Sequence, residues 1–234
     1  YNVRRFTTLR EVGDFVPEMV INCVTLNHTL DAFNEVIPYL LGDDGRPRAD
    51  CLICDIASVK TNLRDYYEKS GFRYVSVHPM FGPTFATLDN LQNENAVIIR
   101  EPESASTHGS DMEGVNFFAL LFSTLHLNIC YYSFEEHDHV VAYSLSIPFA
   151  STLVFASVMK HQDAPGTTFK RHLAIAHGLL SEDDFLLTEI MFNPNTPAQL
   201  DGIIEKLQLL RKFSVEKDSA GMKSFLSEVR QRIR

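Results

Sequence analysis

The residues best suited to chemistry lie in Val77-His78-Pro79-Met80-Phe81-Gly82-Pro83-Thr84. An imidazole, with an ordinary pKa of about 6.5, can take and return a proton near neutrality. His78 stands where an apolar run, Phe72 to Val77, meets two prolines and a glycine, which continue neither a strand nor a helix. The pattern predicts a titratable ring at the carboxyl end of a strand, on a stiff loop. Open α/β sheets bind ligands at that edge. General-base chemistry is one reading, and a histidine that merely ends a strand is the other. Ser58 falls at the carboxyl end of the preceding predicted strand, which adjacent parallel pairing would bring beside His78. Its hydroxyl could hold the imidazole in one tautomer or simply cap a helix. Lys60 could meet a phosphate or carboxylate, or be solvated. His137-Asp138-His139 suggests a metal site, but positions i and i+2 do not share a helix face, which favours a solvated or cavity-lining first turn. Lys170 and Arg171 open a helix that also carries His172 and His177; anion binding and a solvated face both fit.

The elements that must position these residues alternate. Met19–Leu26, Cys51–Asp55, Phe72–Val77, Asn95–Arg100 and Leu127–Ser133 read as strands, several of them almost continuously apolar, as strands covered on both faces are. Helices are predicted at Leu9–Asp14, Thr29–Leu41, Asn62–Ser70 and Asp111–Leu125. This is the signature of βαβ units around a mainly parallel, Rossmann-like sheet. From Ser133 the pattern changes. Ser133 with Glu136 forms a capping box that opens a helix running to about Lys160. From Val140 to Met159 that helix is apolar or small on every face, so it must be buried all round, with a kink expected at Pro148. Further helices are predicted at Thr168–Leu180, Glu182–Phe192, Ala198–Lys217 and Ala220–Ile233. So small a helical region hardly sheathes such a helix alone, and an intertwined homodimer is expected.

The chain has 234 residues, a hydrophobic share of 45% and a net charge of −9. That suits one or two globular domains and argues against a nucleic-acid or anionic-membrane partner. No apolar run is expected to span a bilayer, and the opening YNVRRFTT is no signal peptide. Cys51 and Cys54 form a C-x-x-C, but in a buried strand residues three apart face opposite ways. No second pair completes a zinc set, so core packing in a reducing cytoplasm is expected, with no metal.

Four segments resemble the prephenate dehydrogenase family: CDIASVK (Cys54–Lys60), VHPMFGPT (Val77–Thr84), EEHDH (Glu135–His139) and FKRHLAIAHGLLSEDDFLLTEIM (Phe169–Met191). Their order and spacing match over nearly the whole chain. The pattern is nearest to the bacterial branch that includes chorismate mutase fusions, although no mutase domain is present. The resemblance implies a partial dinucleotide-binding Rossmann domain over residues 1–133 and a helical dimerisation and substrate-binding domain over 134–234. It implies oxidative decarboxylation of prephenate by NAD, with NADP open, to 4-hydroxyphenylpyruvate on the route to tyrosine. His78 would be the base on the ring hydroxyl and Ser58 would orient it. Lys170, with Arg171 beside it, would stand where the family binds substrate carboxylate through an arginine. His137 and Ser146 would line the substrate. Thr25, Leu26, Asn27, Ala57, Ser58 and Pro79 would contact the cofactor.

The sequence departs from the family at Val140, Ser146 and Phe149, which leaves arogenate, or a 3-hydroxy acid, open as the substrate. It also has no G-x-G-x-x-G and no acidic ribose-reading residue after one. The start without methionine favours a missing first βαβ portion. A non-catalytic dimeric binding module is the remaining alternative.

Overall fold

The computed structural model describes residues 3–60, 62–82, 86–101 and 110–233. Pro83 and Thr84 of the VHPMFGPT block lie outside the described residues. Two compact units make up the chain: Tyr1–Val141 with Asp183–Glu189, and Ala142–Glu182 with Ile190–Arg234.

The first unit is built on a five-stranded sheet. Its strands are β1 (Met19–Asn22), β2 (Leu52–Asp55), β3 (Arg73–Pro79), β4 (Asn95–Ile99) and β5 (Asn128–Tyr132), in that spatial order. β1, β2 and β3 are parallel, β4 runs antiparallel to β3, and β5 is parallel to β4. The reversal follows from the connection. No crossover helix stands between β3 and β4 among the described residues, only a single 3₁₀ turn, Leu91–Asn93, and parallel neighbours need a crossover of a dozen or more residues. The sheet is thus mainly parallel, as expected, with the turn-back immediately after His78.

Alternation along the strands divides the core in two. Ile53, Tyr74, Val97 and Ile99 face α2 (Thr29–Val36), α3 (Leu63–Ser70) and the start of α5 (Phe134–Val141) through Phe33, Tyr67 and Phe134. Leu52, Cys54, Val75, Val77 and Ile98 face α4 (Met112–Thr124) through Val115, Phe118 and Phe122. Cys51 and Cys54 are free thiols in different cores, as their spacing predicted. α1 (Leu9–Phe15) carries a complete capping box between Thr8 and Glu11. α2 ends earlier than expected because Pro38 turns the chain into a 3₁₀ turn at Ile37–Tyr39. α3 stops at Gly71, whose φ of 69° favours glycine.

The sheet unit reaches beyond the expected boundary at 133. α5 opens with the predicted capping box: Ser133 N donates to Glu136 Oε2 at 2.8 Å and Glu136 N to Ser133 Oγ at 3.1 Å. Phe134, His137 and Val141, spaced i, i+3, i+7, are buried while His139 is exposed, so the two histidines do part faces.

The second unit begins with a π-helical turn, Ala142–Ser146, followed by α6 (Ile147–Val158), α7 (Thr167–Leu179), α9 (Thr196–Glu216) and α10 (Ser219–Arg232). Between α7 and α9 runs α8 (Asp184–Met191), whose larger part groups with the sheet unit. Pro148 sits in the first turn of α6, where its missing N–H is tolerated, and the preceding turn widens instead. Within one chain the expectation of all-round burial is not met, since Ala150 is the single buried residue of α6. The expectation that no run could span a bilayer is also corrected. The helix Phe134–Val158, 25 residues with mean hydropathy 1.6 over its most apolar window, is long and apolar enough by length and composition to do so. It reaches that length because the chain stays helical through the π turn and Pro148.

Gly114 lets α4 lie close on the sheet: a Cβ there would stand 2.7 Å from Leu52 Cδ1 and 2.9 Å from Val75 Cγ1. We expect Gly114→Ala to overpack this contact and lower stability by about 1–3 kcal/mol, read as a lower urea midpoint with an unchanged slope.

Candidate active site

Parallel register sets the loops that follow β1 and β2, and the end of β3, along one edge. Asn22 pairs with Asp55 and Asp55 with Ser76, two residues before His78. The buried Asn22 side chain shapes the first loop: Nδ2 donates to the Thr29 carbonyl at 2.9 Å, and Oδ1 accepts from Val24 N at 3.2 Å. Within the loop, Thr25 Oγ1 donates to Asn27 Oδ1 at 2.7 Å. Leu26, Asn27, Thr29, Val59, Asn62 and Glu189 are among the residues lining a cleft of about 230 Å³ in this unit. That is less than the roughly 300–1,000 Å³ of complete ligand pockets, so it has room for a fragment of a dinucleotide.

Beneath the second loop lies a buried ion pair. Lys60 Nζ contacts Asp55 Oδ2 at 2.5 Å and donates to the Val77 carbonyl at 2.8 Å; both charged side chains are wholly buried. Tyr67 Oη donates to Asp55 Oδ1 at 2.6 Å and Ala57 N to Asp55 Oδ2 at 3.0 Å. Burial, and then the neighbouring carboxylate, push the Tyr67 phenol far up, so its proton stays on as the donor. Lys60 is therefore not a solvated residue. It is tied to the carbonyl immediately before His78.

His78 itself is 6% exposed. Its Nδ1 lies 2.9 Å from Nε2 of His137, which is 1% exposed, and the ring planes meet at 62°. Among the described residues Nε2 of His78 has no hydrogen-bond partner. Desolvation, then Lys60, then His137 hold His78 well below the ordinary histidine range. His137 is lowered too, chiefly by burial, with Asp138 pulling the other way. The result is a neutral imidazole with one nitrogen occupied and one available.

The expected site residues fall into three groups. Leu26 and Asn27 line the cleft, and Thr25 braces Asn27. Ala57, Ser58 and Pro79 lie at the same sheet edge, but Ser58 makes no hydrogen bond to His78, and Val59 is the residue of that loop in the cleft lining. His137, expected to line the substrate, stands against His78. Ser146 is corrected: it is fully buried, 2.7 Å from Thr196 Oγ1 and 3.2 Å from the Ile190 carbonyl, so its hydroxyl ties together the helical unit rather than facing a ligand. Lys170 and Arg171 are exposed in the first turns of α7.

Residues 5–114 match the family model described as prephenate dehydrogenase, nucleotide-binding domain. These residues form a nucleotide-binding domain of the prephenate dehydrogenase family. No match is found among curated proteins. Prephenate dehydrogenase from A. aeolicus, in complex with hydroxyphenyl propionate and NAD⁺, superposes with a TM-score of 0.74 at 19% identity, covering 97% of this chain and 79% of that one. Synechocystis arogenate dehydrogenase gives 0.70 at 14% identity, over 96% and 80%. A putative prephenate dehydrogenase from Corynebacterium glutamicum gives 0.65 at 13%, over 96% and 72%. At these identities the likeness is one of fold: a Rossmann-like, mostly parallel sheet followed by a helical region.

Two features of this site escaped sequence reasoning. Asp55 at the end of the otherwise apolar CLICD was a signal for a buried charge needing a partner, and Lys60 is that partner. The i, i+3, i+7 spacing of Phe134, His137 and Val141 marked His137 as a core-facing position. We expect Lys60→Met, which strands Asp55 in the core, to cost about 3–5 kcal/mol in urea unfolding. A loss under about 1 kcal/mol would show that the pair does not hold this edge.

Proposed function

We propose that the protein is a nicotinamide-dependent dehydrogenase that oxidises the ring carbinol of prephenate, with loss of carbon dioxide, to 4-hydroxyphenylpyruvate. The observation that carries this reading is His78, a neutral ring at the carboxyl sheet edge with Nδ1 held and, among the described residues, no partner on Nε2. The family match to a nucleotide-binding domain and the cleft beside the β1 and β2 loops support it. The fit to a dinucleotide is partial: Leu26 and Asn27 offer contacts, whereas the glycine-rich phosphate loop is not in this sequence. NAD is the favoured cofactor, with NADP the alternative.

A bound nicotinamide would supply the hydride acceptor. His78 Nε2 accepts the hydrogen bond of the C4 hydroxyl and takes its proton as hydride leaves that carbon. The C4 ketone then draws electrons through the ring as the C1–carboxylate bond breaks. The ring becomes aromatic, and the oxygen, now a phenolate, takes the proton back from His78. A base of low proton affinity suits both steps, since it must also return what it took. Lys170 and Arg171 are the cations we assign to the substrate carboxylate, Lys170 as a point charge rather than a bidentate fork. Arogenate is the second reading. It is favoured by that lysine, by Phe149, and by Ser146, whose hydroxyl is spent on Thr196 and Ile190.

We also assign a homodimer to the helical unit. Val158, Ile175 and Val215 are 69%, 58% and 68% exposed on α6, α7 and α9, and burying them drives association. Light scattering of the full chain should return twice the mass of one chain, and a concentration-independent monomer would sink this assignment.

We expect His78→Asn to lower kcat by about 10²- to 10⁴-fold with an unchanged far-UV spectrum. Because the folded-state pKa of His78 is lowered, the base form survives acidification. The acid limb of kcat/KM in the wild type should therefore fall below pH 6.5, not at it. Wild-type activity in His78→Asn would refute the base. A higher kcat/KM for arogenate than for prephenate would select the second reading.

A further inference from the structure

The 2.9 Å contact between His78 Nδ1 and His137 Nε2 holds one hydrogen, and geometry decides whose it is. His137 Nδ1 lies 3.4 Å from Asp138 Oδ1. A carboxylate only accepts, so the His137 proton belongs on Nδ1, pointed at Asp138. His137 Nε2 is then a bare lone pair. The shared hydrogen must come from His78 Nδ1, because two lone pairs facing each other at this distance would repel. That leaves Nε2 of His78 as the acceptor. The opposite arrangement would turn the His137 Nδ1 lone pair onto the carboxylate and put a proton on His78 Nε2, where no base function is possible.

We propose that His137 is the positioning residue for the base: with Asp138 it fixes His78 as the Nδ1–H tautomer and aims its Nε2 lone pair outward. This deepens the reading of His78 as a base and rests on it for the catalytic consequence, though not for the tautomer. The Nδ1–H form is the less common one in free histidine, so an environment must select it. The contact also favours the reaction. Once His78 Nε2 takes the substrate proton, Nδ1–H becomes the donor of an imidazolium, and the bond to His137 is charge-assisted. It is then stronger in the transition state than in the resting protein, which is the kind of interaction that raises kcat. α5 is built to supply it. The Ser133–Glu136 capping box starts the helix, Glu101 Oε1 accepts from Phe134 N at 2.9 Å, and Phe134 and Val141 seat the flanking turns in the core. Lys60 and Asp55 also act on the pair: Lys60 favours the neutral form of both rings, and Asp55 opposes it at His137.

The test is ¹⁵N NMR of the full-length chain labelled at histidine, at a pH where both rings are neutral, with His78→Asn used for assignment. We expect both rings as Nδ1–H tautomers. His137→Leu removes the acceptor and should release His78 to the Nε2–H form or a mixture. In turnover of prephenate or arogenate it should lower kcat on the order of 10²-fold with little change in KM. His137→Gln places a carboxamide oxygen where Nε2 stood and should restore the Nδ1–H signal and most of kcat. An Nε2–H tautomer of His78 in the wild type overturns the proposal outright. So does a folded His137→Gln that loses activity as severely as His137→Leu. Should His137→Leu fail to fold, the wild-type spectrum and His137→Gln still decide. If neither substrate is turned over, the reading of function falls while the spectrum judges the tautomer separately.

Discussion

The ion pair between Asp55 and Lys60 is the constraint on which the chemical edge of the sheet depends. A carboxylate at the end of β2 is enclosed by α3 and by the loop that leaves the strand, and it survives there only because a cation, a phenol and a backbone N–H all meet it. Lys60 has a second commitment, to the carbonyl of Val77, which joins the loop after β2 to the residue before His78. The position of His78 is thus set by a charge that cannot leave its partner. The same cation adds to the desolvation that keeps His78 neutral. One interaction therefore serves structure and proton affinity together. Replacing it by apolar side chains could restore stability, but it would lose the tie to Val77.

Much of this was legible in the chain. Strand and helix positions from Met19 to Arg232 follow apolar periodicity and local stop signals, because each element buries one face or is buried on both. The edge that carries His78 follows from parallel pairing alone. The C-x-x-C was readable as packing for the same reason, since period-two alternation sends Cys51 and Cys54 into different cores. What periodicity does not carry is the partner of a buried polar group. Lys60 looked like a free cation because its partner is five positions back, across a loop whose path no local rule fixes. Ser58 looked like the group that orients the imidazole because it shares the sheet edge with His78. The ring instead turns to α5, which arrives from fifty-nine positions away.

Ser146 shows the complementary limit. As a departure from a family pattern it invited a role toward substrate. In the structure its hydroxyl ties the π-helical turn to the Ile190 carbonyl and to Thr196 at the start of α9. A π turn widens the helix and frees a carbonyl or a side chain for such a link, and small polar residues are what fit. The local cause is helix geometry, which no alignment column reports.

The choice of a histidine, rather than a carboxylate, against Nδ1 of the base has a consequence for the reaction. A carboxylate bonded there would raise the proton affinity of His78 even in the empty site. A neutral ring between His78 and Asp138 passes on orientation and attenuates the charge. The resting base then stays neutral well into the acid range. On the proposed reading, prephenate would bring two carboxylates of its own, and negative charge close to an imidazole favours its protonated form. The lowered pKa of His78 would then be drawn back up toward the ordinary histidine range by such a substrate. Proton affinity would then rise when there is a hydroxyl to deprotonate, and the charge released with carbon dioxide would pass to the ring oxygen, a phenolate basic enough to take the proton back.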